Sequence, residues 1–134
     1  MTILAGYAHT PEGEAALDHA IALAQKDGLE LTVFDLDSTT SDADRKFTPP
    51  TESAPARKLV ESGIFHRWLA RSERSDDAPD ELLDSAQEHA ASLIVIGIRS
   101  RSRVGKFFLG SNAQRIILGS HVPVLAVKAA HHES

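Results

Sequence analysis

Leu93-Ile94-Val95-Ile96-Gly97-Ile98-Arg99-Ser100-Arg101-Ser102-Arg103-Val104-Gly105-Lys106-Phe107-Phe108-Leu109-Gly110-Ser111-Asn112 reads as a buried strand, a glycine-bearing basic loop and a tight turn that opens a new helix. The apolar run Leu93 to Ile96 is unbroken, as expected of a strand covered on both faces. A helix expected from Ser111 to Leu118, stopped by Gly119, offers free backbone amides at its start, and such a terminus attracts anions. With Arg99, Arg101, Arg103 and Lys106 in the loop, the stretch predicts a receptor for phosphate groups.

Working outward, Ile3 to Tyr7 is a short apolar run suited to a central strand. Thr10-Pro11-Glu12 has the chemistry of a helix start: a capping hydroxyl, proline at the first helical position and acid in the first turn. Ala16, Leu17, Ala20, Ile21, Leu23 and Ala24 follow at helical spacing, and Gly28 ends the helix. Leu29 to Leu36 predicts a second strand, and Asp37 to Ser53, rich in Ser, Thr, Asp and Pro, predicts a long surface loop. A short helix around Ala56, Leu59 and Val60 closes at Gly63, and Ile64 to Ala70 is expected as an edge strand. Pro79 to Ala90 predicts a helix with Leu82, Leu83, Ala86 and Ala90 inward. Val122 to Val127 is the last expected strand, and 129–134 is expected to fray.

Strands alternating with helices indicate an α/β fold with a parallel sheet. Right-handed crossovers then favour a doubly wound, five-stranded sheet of order 3-2-1-4-5 with helices on both faces. In such sheets ligands bind outside the carboxyl ends of the strands where the winding reverses, here the strands beginning at Ile3 and Leu93. The 134 residues are expected to form a single domain.

Composition narrows the function. The formal net charge of −5 argues against general affinity for nucleic acid or acidic membranes, and 5% aromatic residues give no stacking platform. The absence of cysteine excludes disulfides, thiolate catalysis and cysteine zinc sites. No apolar run approaches the ~20 residues of a membrane span, and the N-terminus lacks a signal-peptide pattern, so a cytoplasmic location is expected.

Familiar nucleotide motifs do not fit. Gly105-Lys106 is followed by Phe107, which rules out a P-loop, and no G-x-G-x-x-G follows the first strand. Glu12 and Glu14 at the first helix start would satisfy its dipole and repel phosphate. That leaves Gly110-Ser111-Asn112, where glycine permits close approach and Ser111 can bond a phosphate oxygen. Ser111 and Gln114 also have capping-box spacing, so a purely structural serine stays open. His9 can be a surface-turn histidine or a contact at the pocket mouth, and Asp35 and Asp37 either solvated loop acids or ribose ligands. The remaining histidines lack ligand spacing, so no protein-bound metal is read; His131 and His132 offer adventitious binding only.

Gly97-x2-Ser100-x9-Gly110-Ser111-Asn112, followed by Val122-Pro123-Val124-Leu125-Ala126-Val127-Lys128, resembles the signature of the universal stress protein (UspA) family over essentially the whole chain. The resemblance implies an adenine nucleotide alpha hydrolase-like fold and a stress-linked regulatory role. It also implies ATP or a related adenine nucleotide, with or without Mg, as ligand. Gly97, Ser100, Gly110, Ser111 and Asn112 would line the phosphate and ribose side, with Arg99, Arg101 and Arg103 adding charge. Ala5, Gly6, Tyr7 and Ala8, with Val33 to Asp35, would border base and sugar. Ser100 replaces the pattern's second glycine, and Ala8 stands where ATP-binding members commonly carry an acid. One lost neutral hydrogen bond costs about 0.5–1.5 kcal/mol, whereas a charge-assisted arginine contact returns about 1.5–3 kcal/mol, which favours retained binding. A dimeric scaffold without nucleotide, acting through protein partners, is the alternative. No general base pairs with a positioned nucleophile, so at most slow, incidental hydrolysis is expected. The family also implies a two-fold homodimer through the last strand, with Val122, Val124, Leu125, Ala126 and Val127 at the interface, as an apolar edge strand favours.

Overall fold

Local chemistry sets the first crossover. In the computed structural model, which describes residues 1–74, 77–99 and 109–129, strand β1 (Thr2–Tyr7) leads into helix α1 (Pro11–Asp27). Thr10 Oγ1 caps α1 by accepting the Gly13 amide at 3.0 Å, and Gly28 ends it in the left-handed conformation at φ 66°. The chain continues through β2 (Glu30–Thr40), α2 (Ala54–Ser62), β3 (His66–Ser72), α3 (Ala78–Glu88), β4 (Ala91–Ile98), α4 (Ser111–Gly119) and β5 (Val124–Lys128).

The five strands pair in parallel in the order β3-β2-β1-β4-β5, as expected. β1 is central, with Ala5 opposite Val33 on one side and Val95 on the other, and Tyr7 opposite Asp35. On one face Ile3, Ala5, Tyr7, Val33 and Val95 pack against Leu17, Ala20 and Ala24 of α1 and Leu59 of α2. On the other, Leu4, Phe34, Ile94 and Ile96 pack against Leu82 and Ala86 of α3 and Ile116 of α4. Both faces are therefore covered, which explains the continuous apolar runs in β1 and β4.

Several boundaries differ from the sequence reading, β4 among them, which spans Ala91–Ile98 rather than Leu93 to Ile96 alone. β2 extends to Thr40, past the expected loop start at Asp37, with Thr39 and Thr40 pairing to Arg71 and Ser72 after a register irregularity. This extension alternates half-buried and exposed polar residues, so it carries no apolar periodicity to read. α3 stops at Glu88, because Ala90 adopts a left-handed φ of 52°. The edge strand β3 sits two residues later than expected, and β5 starts at Val124, leaving Val122 partly buried against the α3–α4 face. The strap 45–47 covers the outer edge of β3: the Phe47 amide donates to the Trp68 carbonyl at 3.2 Å and the Ala70 amide to the Arg45 carbonyl at 2.9 Å. The opposite edge, β5, exposes Leu125 and Ala126, while Val127 is buried beneath α1.

Candidate functional site

The winding reverses between β1 and β4, and beside this point the first turn of α1, the end of β4 and the start of α4 border a cleft of about 540 Å³ lined by Glu12, Gly97, Ile98, Arg99, Leu109, Gly110, Ser111, Asn112 and Ala113. Five of the residues expected to bind a ligand, Gly97, Arg99, Gly110, Ser111 and Asn112, meet here. Ser100, Arg101 and Arg103 lie outside the described residues, as do Lys106, Phe107 and Phe108.

The two glycines that frame the cleft do different work. A Cβ on Gly97 would fall 2.1 Å from the Glu12 carbonyl oxygen, so glycine there lets β4 meet the first turn of α1. Gly110 has φ −64° and ψ 157°, open to any residue, and no atom of the described residues lies within 4 Å of where its Cβ would stand. Neither conformation nor packing among the described residues demands glycine at 110.

Gly110, not Ser111, is the N-cap of α4, and no side-chain cap is formed among the described residues. The capping-box reading of Ser111 and Gln114 is corrected accordingly: Ser111 is the first helical residue, and Gln114 Nε2 donates to the Leu109 carbonyl at 2.9 Å. The opening amides of α4 thus border the cleft without a side-chain acceptor among the described residues.

Arg99 Nε donates to Glu12 Oε2 at 3.1 Å, so the acid expected to repel phosphate is matched by the nearest described arginine. Sequence spacing could not reveal this pair, which joins opposite ends of the chain.

The residues expected to border base and sugar have other roles in the fold. Ala5, Tyr7 and Val33 are fully buried in the layer beneath α1, Gly6 lies against Leu82 and Ile96, and Ala8 is half-buried. The Tyr7 hydroxyl donates to Glu14 Oε2 and lies 3.3 Å from His9 Nδ1. Burial, then the hydrogen bond to Glu14, and the charges of Glu14, Asp35 and Asp37 push Tyr7 above the ordinary tyrosine range. Burial alone would raise Glu14, but the hydrogen bonds from Tyr7 and Lys58 outweigh it and hold this carboxyl below its ordinary value.

Asp35 is 2% exposed and accepts Trp68 Nε1 at 3.3 Å, Ser38 Oγ at 3.0 Å and the Asp37 amide at 2.9 Å. Asp37 Oδ2 accepts the His9 amide at 2.6 Å, tying the β1–α1 turn to β2. This His9–Asp37 contact escaped the sequence reading; the only signal for it was the Asp35-x-Asp37 spacing at a strand end.

The chain matches the model of the universal stress protein family over residues 1–128. It is 38% identical over 127 residues to a universal stress protein of Mycolicibacterium smegmatis, covering 94% of this chain and 96% of that one. A solved universal stress protein from Archaeoglobus fulgidus superposes with a TM-score of 0.70 at 26% identity, covering 96% of this chain and 98% of the other. A structure of the universal stress protein from Archaeoglobus fulgidus in complex with dAMP gives a TM-score of 0.64 at 23% identity, again over 96% and 98%.

Proposed function

The chain belongs to the universal stress protein family, and from that premise we propose that it is a cytoplasmic, adenine-nucleotide-binding regulatory homodimer of the stress response. The observation that carries this reading is the start of α4, whose amides border a cleft of about 540 Å³ and meet no side-chain cap among the described residues. A helix start of this kind favours phosphate oxygens through its amides and its dipole. The anionic end of ATP, or of a related adenine nucleotide with or without Mg, would lie against Gly97, Ser100, Gly110, Ser111 and Asn112, with Arg99, Arg101 and Arg103 adding charge. Base and sugar would lie over the strand ends at Ala5–Ala8 and Val33–Asp35, the first three offering backbone because Ala5 and Tyr7 commit their side chains to the core. The dAMP held by the Archaeoglobus fulgidus protein supports the ligand class.

A dimer through β5 is supported by its unpaired edge, where Leu125 and Ala126 are exposed. Among the described residues no helix is long and apolar enough to cross a membrane. The formal charge of −5 speaks against a nucleic-acid partner. The scaffold reading without nucleotide draws on Ala8 and on Asp35, whose carboxylate is already engaged by three donors of its own chain.

The test is direct. Purified protein is denatured and the released small molecules are identified by mass spectrometry, and stripped protein is then titrated with ATP, AMP and dAMP. Saturable binding of at least one of them is expected; no binding up to millimolar concentration would favour the scaffold.

A further inference from the structure

On the β2 side of β1, away from the cleft residues, His9, Asp35 and Asp37 converge. One ring nitrogen of His9 and one carboxylate oxygen from each aspartate lie within 4.8 Å of one another. Among the described residues, neither aspartate forms an ion pair with a lysine or arginine. Two carboxylates, one of them 2% exposed, are thus held together with no cation from the described residues between them.

The hydrogen bonds fix which lone pairs remain. The Tyr7 hydroxyl has one proton and gives it to Glu14 Oε2. Its oxygen can then only accept from His9 Nδ1, 3.3 Å away. In the neutral imidazole this places the proton on Nδ1 and leaves a lone pair on Nε2, through which a neutral imidazole can bind a metal. Asp35 Oδ2 is filled by Trp68 Nε1 and Ser38 Oγ, whereas Oδ1 accepts only the Asp37 amide and keeps capacity. Asp37 accepts the His9 amide on Oδ2, and its Oδ1 has no partner among the described residues. Asp35 is therefore a fixed anchor, oriented by Trp68 and Ser38, facing two exposed groups with spare lone pairs.

The geometry points to a divalent transition-metal site formed by His9, Asp35 and Asp37 at the carboxyl ends of β1 and β2. Ligands about 2.0–2.2 Å from one ion stand about 3 Å apart. Rotamer changes at exposed His9 and Asp37 close that distance without moving the buried anchor. One imidazole with two carboxylates suits zinc or manganese; magnesium and calcium favour all-oxygen shells. Three protein ligands leave further coordination positions to water. The inference does not rest on nucleotide binding, since every donor belongs to the chain.

The experiment uses nucleotide-stripped, chelator-treated full-length protein titrated with Zn²⁺ by calorimetry and with Co²⁺ by visible absorption. To separate this site from the C-terminal histidines, a His131→Ala/His132→Ala background is titrated in parallel. One equivalent is expected to bind in both backgrounds, with Co²⁺ bands characteristic of mixed nitrogen and oxygen ligation. His9→Ala and Asp37→Asn, both at exposed positions, should each weaken that binding by at least about tenfold while the circular dichroism stays unchanged. Binding that survives both substitutions, that disappears with His131 and His132, or that never exceeds millimolar affinity overturns the proposal. Loss of nucleotide binding alone would leave it standing.

Discussion

Arg99 Nε stands 3.1 Å from Glu12 Oε2, bridging the end of β4 and the first turn of α1 across the mouth of the cleft. The arginine side chain is 72% exposed and the glutamate 16%, so the flexible partner is the cation. Exposed pairs of this kind contribute only about 0–1 kcal/mol to stability. Their consequence lies in the charge presented to a ligand, because Glu12 both holds Arg99 and places a carboxylate in the cleft.

Glu12→Gln should therefore tighten binding of ATP, by about fivefold if one repulsive contact near 4 Å of water is relieved at about 1 kcal/mol. The gain should shrink as salt rises, since the group is near the surface. Calorimetric titrations of ATP at low and high ionic strength check this. A loss of affinity would show that Glu12 orients Arg99 for the ligand.

Gly97→Ala and Gly110→Val should fail in different ways. The first drives a methyl within 2.1 Å of the Glu12 carbonyl and should destabilise the fold by about 3 kcal/mol, the upper end of overpacking costs. The second meets no described atom and should leave the unfolding free energy within about 1 kcal/mol of the parent while abolishing detectable ATP binding. Urea unfolding with and without ATP distinguishes them. Equal ATP affinity for the parent and Gly110→Val would remove the cleft as the phosphate site.

Why some of this was readable from residues alone, and some not, follows the range of each interaction. Thr10, Gly28 and Gly63 act on their own turns, so the caps of α1 and α2 were visible in the sequence. The sheet order followed because each apolar strand alternates with a helix, which restricts the winding. The end of β2 was hidden because Asp37 to Thr40 is polar and pairs through backbone to Arg71 and Ser72. The cleft lining was legible as a motif, but the use of Gly97 was not, since its constraint is a backbone atom of Glu12. His9 and Asp37 stand 28 residues apart in sequence, and only the pairing of β1 with β2 brings them together.

Leu125→Lys should dissociate a β5-mediated dimer. The residue is 36% exposed on an unpaired strand edge, and a lysine there is a common natural device against edge pairing. Sedimentation should show a monomer at concentrations where the parent is dimeric, with unchanged circular dichroism. A dimer that persists would move the interface elsewhere, with exposed Ile117 and Leu118 of α4 the next surface to alter.

The single tyrosine gives a clean pH test of the core network. Tyr7 is raised above the ordinary value of about 10 by burial first, then by its bond to Glu14 and the surrounding carboxylates. A group raised in the folded state adds stability that is complete below its unfolded value and declines as pH climbs toward the folded one. Native protein should thus show no tyrosinate absorbance at pH 10, where urea-unfolded protein is about half ionised. Glu14 works with the opposite sign: held low by Tyr7 and Lys58, it stabilises above the ordinary carboxylate range and loses that contribution as pH falls through its depressed value. Tyr7→Phe removes one of the donors holding Glu14 down, so the variant should lose less stability on acidification than the parent, with a shallower acid limb. Urea midpoints measured from pH 3 to 7 check this, and superimposable acid limbs would show that the Tyr7–Glu14 bond carries no weight in the folded state.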